Sequence, residues 1–105
     1  MDCKIIWTPD AREDLREIYA YYSEKSRTVA NGIISDINIK TRLLEKQPCM
    51  APIESSLEDN LKTYRALLVY KLKFKVLYYV QDEEIHIMGI VNCKQSPEKI
   101  KRRLS

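Results

Sequence analysis

Residues 64–93, YRALLVYKLKFKVLYYVQDEEIHIMGIVNC, constrain the fold more than any other stretch. Three runs rich in β-branched and aromatic residues, 64–70, 74–80 and 85–91, are separated by Lys71-Leu72-Lys73 and by Gln81-Asp82-Glu83-Glu84. Connections this short permit antiparallel hairpins, whereas a crossover to a parallel strand needs a dozen or more residues. The spacing predicts a three-stranded meander. In its middle run Phe74, Val76, Tyr78 and Val80 share one face at period two, and Lys75, Leu77 and Tyr79 share the other. In the first run Arg65, Leu67 and Val69 alternate with Tyr64, Ala66 and Leu68. One face reads as fully buried and the other as half-buried and basic.

The remaining chain supplies the cover. A short strand over 3–7 ends at Thr8-Pro9-Asp10, where Thr8 suits an N-cap and Pro9 the first helical position. Asp10, Glu13 and Asp14 complement the positive end of the helix dipole. The helix runs over 9–23, with Ala11, Leu15, Ile18, Tyr19 and Tyr22 as its apolar stripe. Ser26 or Thr28 opens a second helix to about 46, stopped by Gln47-Pro48. The intervening link is short enough for an α-hairpin, whose apolar face needs the meander. Residues 48–62 lack periodicity and read as a connection with one helical turn over 54–59. In the tail, Ser96-Pro97 starts a short basic helix that depends on docking Ile100 and Leu104. The expected fold class is α+β, in the order β-α-α-β-β-β with a short carboxyl-terminal helix, as a single domain over 1–105.

Charge is distributed unevenly. Residues 1–61 hold 8 basic and 11 acidic side chains, whereas 62–105 hold 10 basic and 4 acidic, a net +6. A field of that sign attracts nucleic acid or an acidic protein partner. With Gly32 and Gly89 the only glycines, no glycine-rich phosphate loop can be built. Cys3, Cys49, Cys93 and the single His86 form no metal spacing, so neither metal nor cofactor is expected. The odd cysteine count, the lack of a leader pattern and the lack of a membrane-spanning apolar run predict a cytoplasmic protein with no membrane partner.

Several strings, IIWTPDAREDLREIYAYY, LLEKQP, YRALLVYKLKFKVLYYVQDEEIHIMGIV and NCKQSPEKI, follow one another at intervals that resemble the RelE/ParE superfamily of bacterial toxins. The resemblance covers almost the whole chain. It implies the toxin of a type II toxin–antitoxin, or plasmid-stabilisation, system, held in a hetero-oligomer by a cognate antitoxin. It also implies two amino-terminal helices on one face of a curved sheet with the first strand at an edge. ParE-like members inhibit DNA gyrase by binding and need no catalytic group. RelE-like members cleave messenger RNA on the ribosome, a reaction that needs a base, an acid and cations around the phosphorane.

For the nuclease reading, the resemblance places catalytic cations at Arg65 and Lys75, and more loosely at Lys94, with Arg65 and Lys75 as candidates to hold phosphate. Two departures count against it: Leu67 stands where a second cation belongs, and NCKQSPEKIKRRLS has no tyrosine. His86, inside a strand, reads as a half-buried sheet residue, while Glu54 and Glu58 are the acidic candidates for a base. For the gyrase reading, Lys71, Lys73, Lys99, Lys101, Arg102 and Arg103 form the target-binding set. ParE-like inhibition is preferred; the alternatives are the ribosome-dependent nuclease and an antitoxin-binding module without toxicity.

Overall fold

The computed structural model describes residues 2–57, 61–94 and 98–104, without the Lys99 side chain. The sequence positions Glu58, Ser96 and Pro97 therefore lie outside the described residues. Strand β1 (Lys4–Trp7) leads into helix α1 (Pro9–Ser23). Thr8 joins the two: its Oγ1 accepts from the Ala11 N–H as an N-cap and donates to the Ile87 carbonyl at 2.8 Å. Ser26 caps helix α2 (Arg27–Leu43) in the same way. The α-helix ends three residues before the expected 46 because the chain tightens there, with the Leu44 N–H bonding back to the Thr41 carbonyl.

The meander forms as expected, with β2 (Tyr64–Val69), β3 (Phe74–Gln81) and β4 (Glu84–Asn92) antiparallel to one another. Strand β1 adds parallel to β4, so the order is β1-β4-β3-β2. A bulge between β3 and β4 shifts the register at Leu77/Tyr78, and Met88 becomes the extra residue of β4. This change of phase puts Ile85, Ile87 and Ile90 on one face, against Ala11, Ile33 and Ile37 of the helices. Tyr22 packs on that core edge-on to Phe74, but Tyr19, expected in the core, is 39% exposed because α1 turns its flank to solvent there.

The opposite face, expected to be half-buried and basic, is largely covered. A second core of Leu57, Tyr64, Ala66, Leu77, Val91 and Ile100 covers it. Leu57 closes a 3₁₀ turn, Ser55–Leu57, the single turn expected over 54–59. Ile100 belongs to α3 (Glu98–Leu104), which docks through that residue and Leu104 as its sequence requires.

Both hairpin turns are built without glycine. Asp82 and Glu83 of the β3–β4 turn have φ of 52° and 61°, and Tyr70, Lys71 and Leu72 of the β2–β3 turn have φ of 46°, 54° and 63°. A left-handed L-residue costs roughly 1–2 kcal/mol, so three in succession need external support. Asp36 of α2 supplies it by accepting the Tyr70 N–H.

Candidate functional site

Arg65 and Lys75 do not come together. The β2–β3 register pairs Arg65 with Tyr78 and Lys75 with Leu68, so the two cations project from opposite faces of the sheet. Arg65 stands on the helix side and donates through Nη1 to the carbonyls of Ala51, at 2.7 Å, and Cys49, at 3.2 Å. Beside it the buried Tyr78 hydroxyl donates to the Pro48 carbonyl at 2.7 Å, and burial raises its pKa, keeping it a neutral donor. Together they hold the connecting segment, which runs along the outer edge of β2. There Ala66 N–H bonds to the Pro52 carbonyl and Glu54 N–H to the Tyr64 carbonyl.

Running along that edge, the segment reaches the second face as well. Glu54 meets Lys75 there at 3.0 Å, and its other oxygen accepts from the Ser56 hydroxyl. Burial works to raise the Glu54 carboxyl, but the Lys75 and Ser56 hydrogen bonds outweigh it, and its pKa lies below the usual carboxylate value. Lys75 is thus engaged in fastening the 3₁₀ turn, and Glu54 is its counter-ion. A phosphate gripped by Arg65 and Lys75 together is excluded by this geometry.

The tail is divided between structure and surface. Strand β1 ends at Trp7, so β4 beyond Ile87 has a bare edge on that side. Asp14 of α1, 3% exposed, covers it by accepting from the Ile90 N–H at 2.9 Å. Arg103 of α3 completes the arrangement with a bidentate grip on Asp14 and a bond from Nη1 to the Met88 carbonyl at 3.1 Å. The hydrogen bonds that Arg103 donates to Asp14 raise its pKa further. Gly89 makes room, since a Cβ there would sit 2.3 Å from Ile100 Cδ1 and 2.6 Å from Arg103 Nη1. Arg103, expected on the target surface, is part-buried in this junction. Asp14, expected only as a dipole complement, is its centre. One signal was present in the sequence: Asp14 lies three residues after Ala11 and four before Ile18, inside the apolar stripe.

Lys71, Lys73 and Lys94 gather where β2 turns into β3 and β4 ends, because the Cys93 N–H bonds to the Lys73 carbonyl. Lys71 lies over the Tyr70 ring at 5.6 Å, and among the described residues no carboxylate pairs with any of the three. On α3, Lys101 pairs with Glu98 at 3.6 Å, while Arg102 also has an interaction partner. His86 is the half-buried sheet residue expected: it stacks on Tyr79 with centroids 4.7 Å apart, and Lys62 lies 4.4 Å over that tyrosine. Glu84 stands 3.4 Å from His86 Nε2. Among the described residues, no three His, Cys, Asp or Glu side chains converge as a metal site.

Comparison with known proteins agrees with a scaffold of this kind. The family profile described as the ParE toxin of the type II toxin–antitoxin system, parDE, matches residues 5–97. The chain belongs to the ParE toxin family. A structure of a chromosomal ParDE toxin–antitoxin system from P. aeruginosa is similar to this ParE-family toxin. It has a TM-score of 0.72 and 23% identity, over 86% of this chain and 95% of that one. The RelBE2 toxin–antitoxin complex from Mycobacterium tuberculosis is similar with a TM-score of 0.56 and 15% identity, over 88% and 99% of the two chains. At these identities the likeness is one of fold. A search of curated protein sequences returns no match. The ParE-family toxin is thus the toxin half of a type II toxin–antitoxin pair, with an antitoxin as partner, and none of its described helices is long and apolar enough to cross a membrane.

Proposed function

We propose that this toxin acts in the cytoplasm by ParE-like binding to DNA gyrase, whose supercoiling it inhibits, and that it cuts no nucleic acid. One observation carries this reading: the two sheet cations suited to phosphate chemistry project from opposite faces, and both are occupied by groups of the protein itself. Phosphoryl-transfer catalysis needs cations preorganised around one developing charge, whereas inhibition by docking needs only a complementary surface. Lys71, Lys73 and Lys94, with Lys101 on α3, supply that surface, and the Lys99 position belongs to the same helix. Arg65, Lys75 and Arg103 support the scaffold beneath it.

The test is a supercoiling assay with purified gyrase, relaxed plasmid and the full chain, with and without its antitoxin. Inhibition that the antitoxin relieves is the expected result; undiminished supercoiling at saturating toxin overturns the gyrase assignment.

A further inference from the structure

One corner of the molecule gathers aromatic rings and cations from segments far apart in the chain. Tyr22 of α1 stands edge-on to Phe74 at the start of β3, with centroids 6.0 Å apart, and Tyr21 stands edge-on to Tyr22 at 5.0 Å. Tyr70 of the β2–β3 turn lies against α2, where a Cβ on Gly32 would meet its Cε1 at 3.8 Å. Lysines rest on the outer rings: Lys25 Nζ is 4.9 Å from the Tyr21 centroid and 3.4 Å from its hydroxyl, and Lys71 Nζ is 5.6 Å from the Tyr70 centroid. Such contacts favour one position of an ammonium without cancelling its charge. Lys73 and Lys94 join the corner through the bond from the Cys93 N–H to the Lys73 carbonyl.

The charge there is not balanced from within. Asp36 is already engaged, by the Tyr70 N–H and by Lys40 at 3.3 Å, which leaves Glu24 beside Lys25 on the α1–α2 link. Among the described residues, no carboxylate pairs with Lys71, Lys73 or Lys94, and all three are exposed. The backbone is also strained where these cations are presented. Tyr70, Lys71 and Leu72 have positive φ, a conformation that glycine would adopt freely. Strain that the surrounding structure holds in place concentrates at ligand-contacting sites, and here it sets Lys71 and Lys73 on either side of Leu72.

We infer that this corner grips the sugar–phosphate backbone of the DNA that gyrase holds, a reading that rests on the gyrase docking proposed above. Lys71, Lys73 and Lys94 meet neighbouring phosphates, and the Tyr21 hydroxyl beside Lys25 adds a further donor. Lysine suits this partner better than a protein surface. Its ammonium is a point charge that meets a phosphate from any direction, whereas lysine is depleted in protein–protein interfaces. The contact carries no sequence information, because no base edge is read. The toxin therefore binds gyrase loaded with DNA in preference to empty gyrase.

The test measures the affinity of the full chain for immobilised gyrase, empty and loaded with a DNA duplex. Loaded gyrase is expected to bind at least about tenfold more tightly. Its affinity is expected to fall more steeply with salt, by a further log–log slope of about 3, as Lys71, Lys73 and Lys94 displace counterions. In a chain carrying K71Q, K73Q and K94Q the ratio of the two affinities is expected to fall to about one, and with K71R, K73R and K94R it is expected to stay near the parent's. Equal affinities of the parent for loaded and empty gyrase overturn the inference and leave gyrase as the target. A preference for loaded gyrase that survives the glutamine substitutions overturns it as well; where both affinities fall by the same factor, the corner contacts an acidic protein surface instead. No binding to either form overturns the gyrase assignment and this partner together.

Discussion

Arg103 and Asp14 lie 89 residues apart in the chain, yet Nη2 of one is 2.8 Å from Oδ1 of the other and Nη1 is 2.9 Å from Oδ2. This bidentate pair, with side chains 13% and 2% exposed, ties the last helix to the first. Arg103→Ala leaves a buried carboxylate without its guanidinium partner, and a loss of about 3 kcal/mol in unfolding free energy is expected. Asp14→Asn combined with Arg103→Met is expected to cost less than Arg103→Ala alone, because no uncompensated charge remains. Urea denaturation of the three proteins measures the difference. An arginine that serves only a surface would give a change within about 0.5 kcal/mol.

Gly89 has a steric role. The Cβ of Gly89→Ala would meet Ile100 Cδ1, Arg103 Nη1 and Asp14 Oδ2 at 2.3, 2.6 and 3.0 Å, so α3 must move away. A loss of about 1–3 kcal/mol is expected. Limited proteolysis should cut first in the released tail.

The long-range ties explain how much of this molecule is legible in its sequence. Thr8, Ser26 and the two hairpin spacings act locally, through a cap or a two- to four-residue turn, and the elements they predict appear within a few residues of their expected bounds. The parallel pairing of β1 with β4 depends on residues 80 positions apart and left no local mark. The bulge at Met88 re-aims the side chains beyond it, and period-two alternation cannot anticipate an extra residue. The site was least legible. Arg65, Lys75 and Arg103 look alike as surface cations, but their partners are carbonyls and carboxylates brought in by the connecting segment and by α1.

The turn at 70–72 predicts a gain in stability. Leu72 has φ of 63° and is 67% exposed, so Leu72→Gly relieves backbone strain at little packing cost. An increase of about 0.5–1 kcal/mol is expected, read as a higher midpoint in thermal unfolding.

The Lys75–Glu54 pair predicts an acid-dependent contribution. Glu54 sits below its ordinary value in the folded chain, so its stabilisation is fully present above the usual carboxylate range and is lost as pH falls through it. Lys75 is partly solvent-screened, which limits the contribution to about 1 kcal/mol. Glu54→Gln should therefore lose less stability than the parent between about pH 6 and about pH 3, by denaturant titration at each pH.

Docking without cutting of nucleic acid, as proposed above, has a direct cellular readout. The most direct measurement induces the full chain without its antitoxin and follows plasmid topology and message 5′ ends in the same cells. Plasmids are expected to lose negative supercoils while translated messages keep intact ends. New 5′ ends within translated messages, with plasmid topology unchanged, would contradict it.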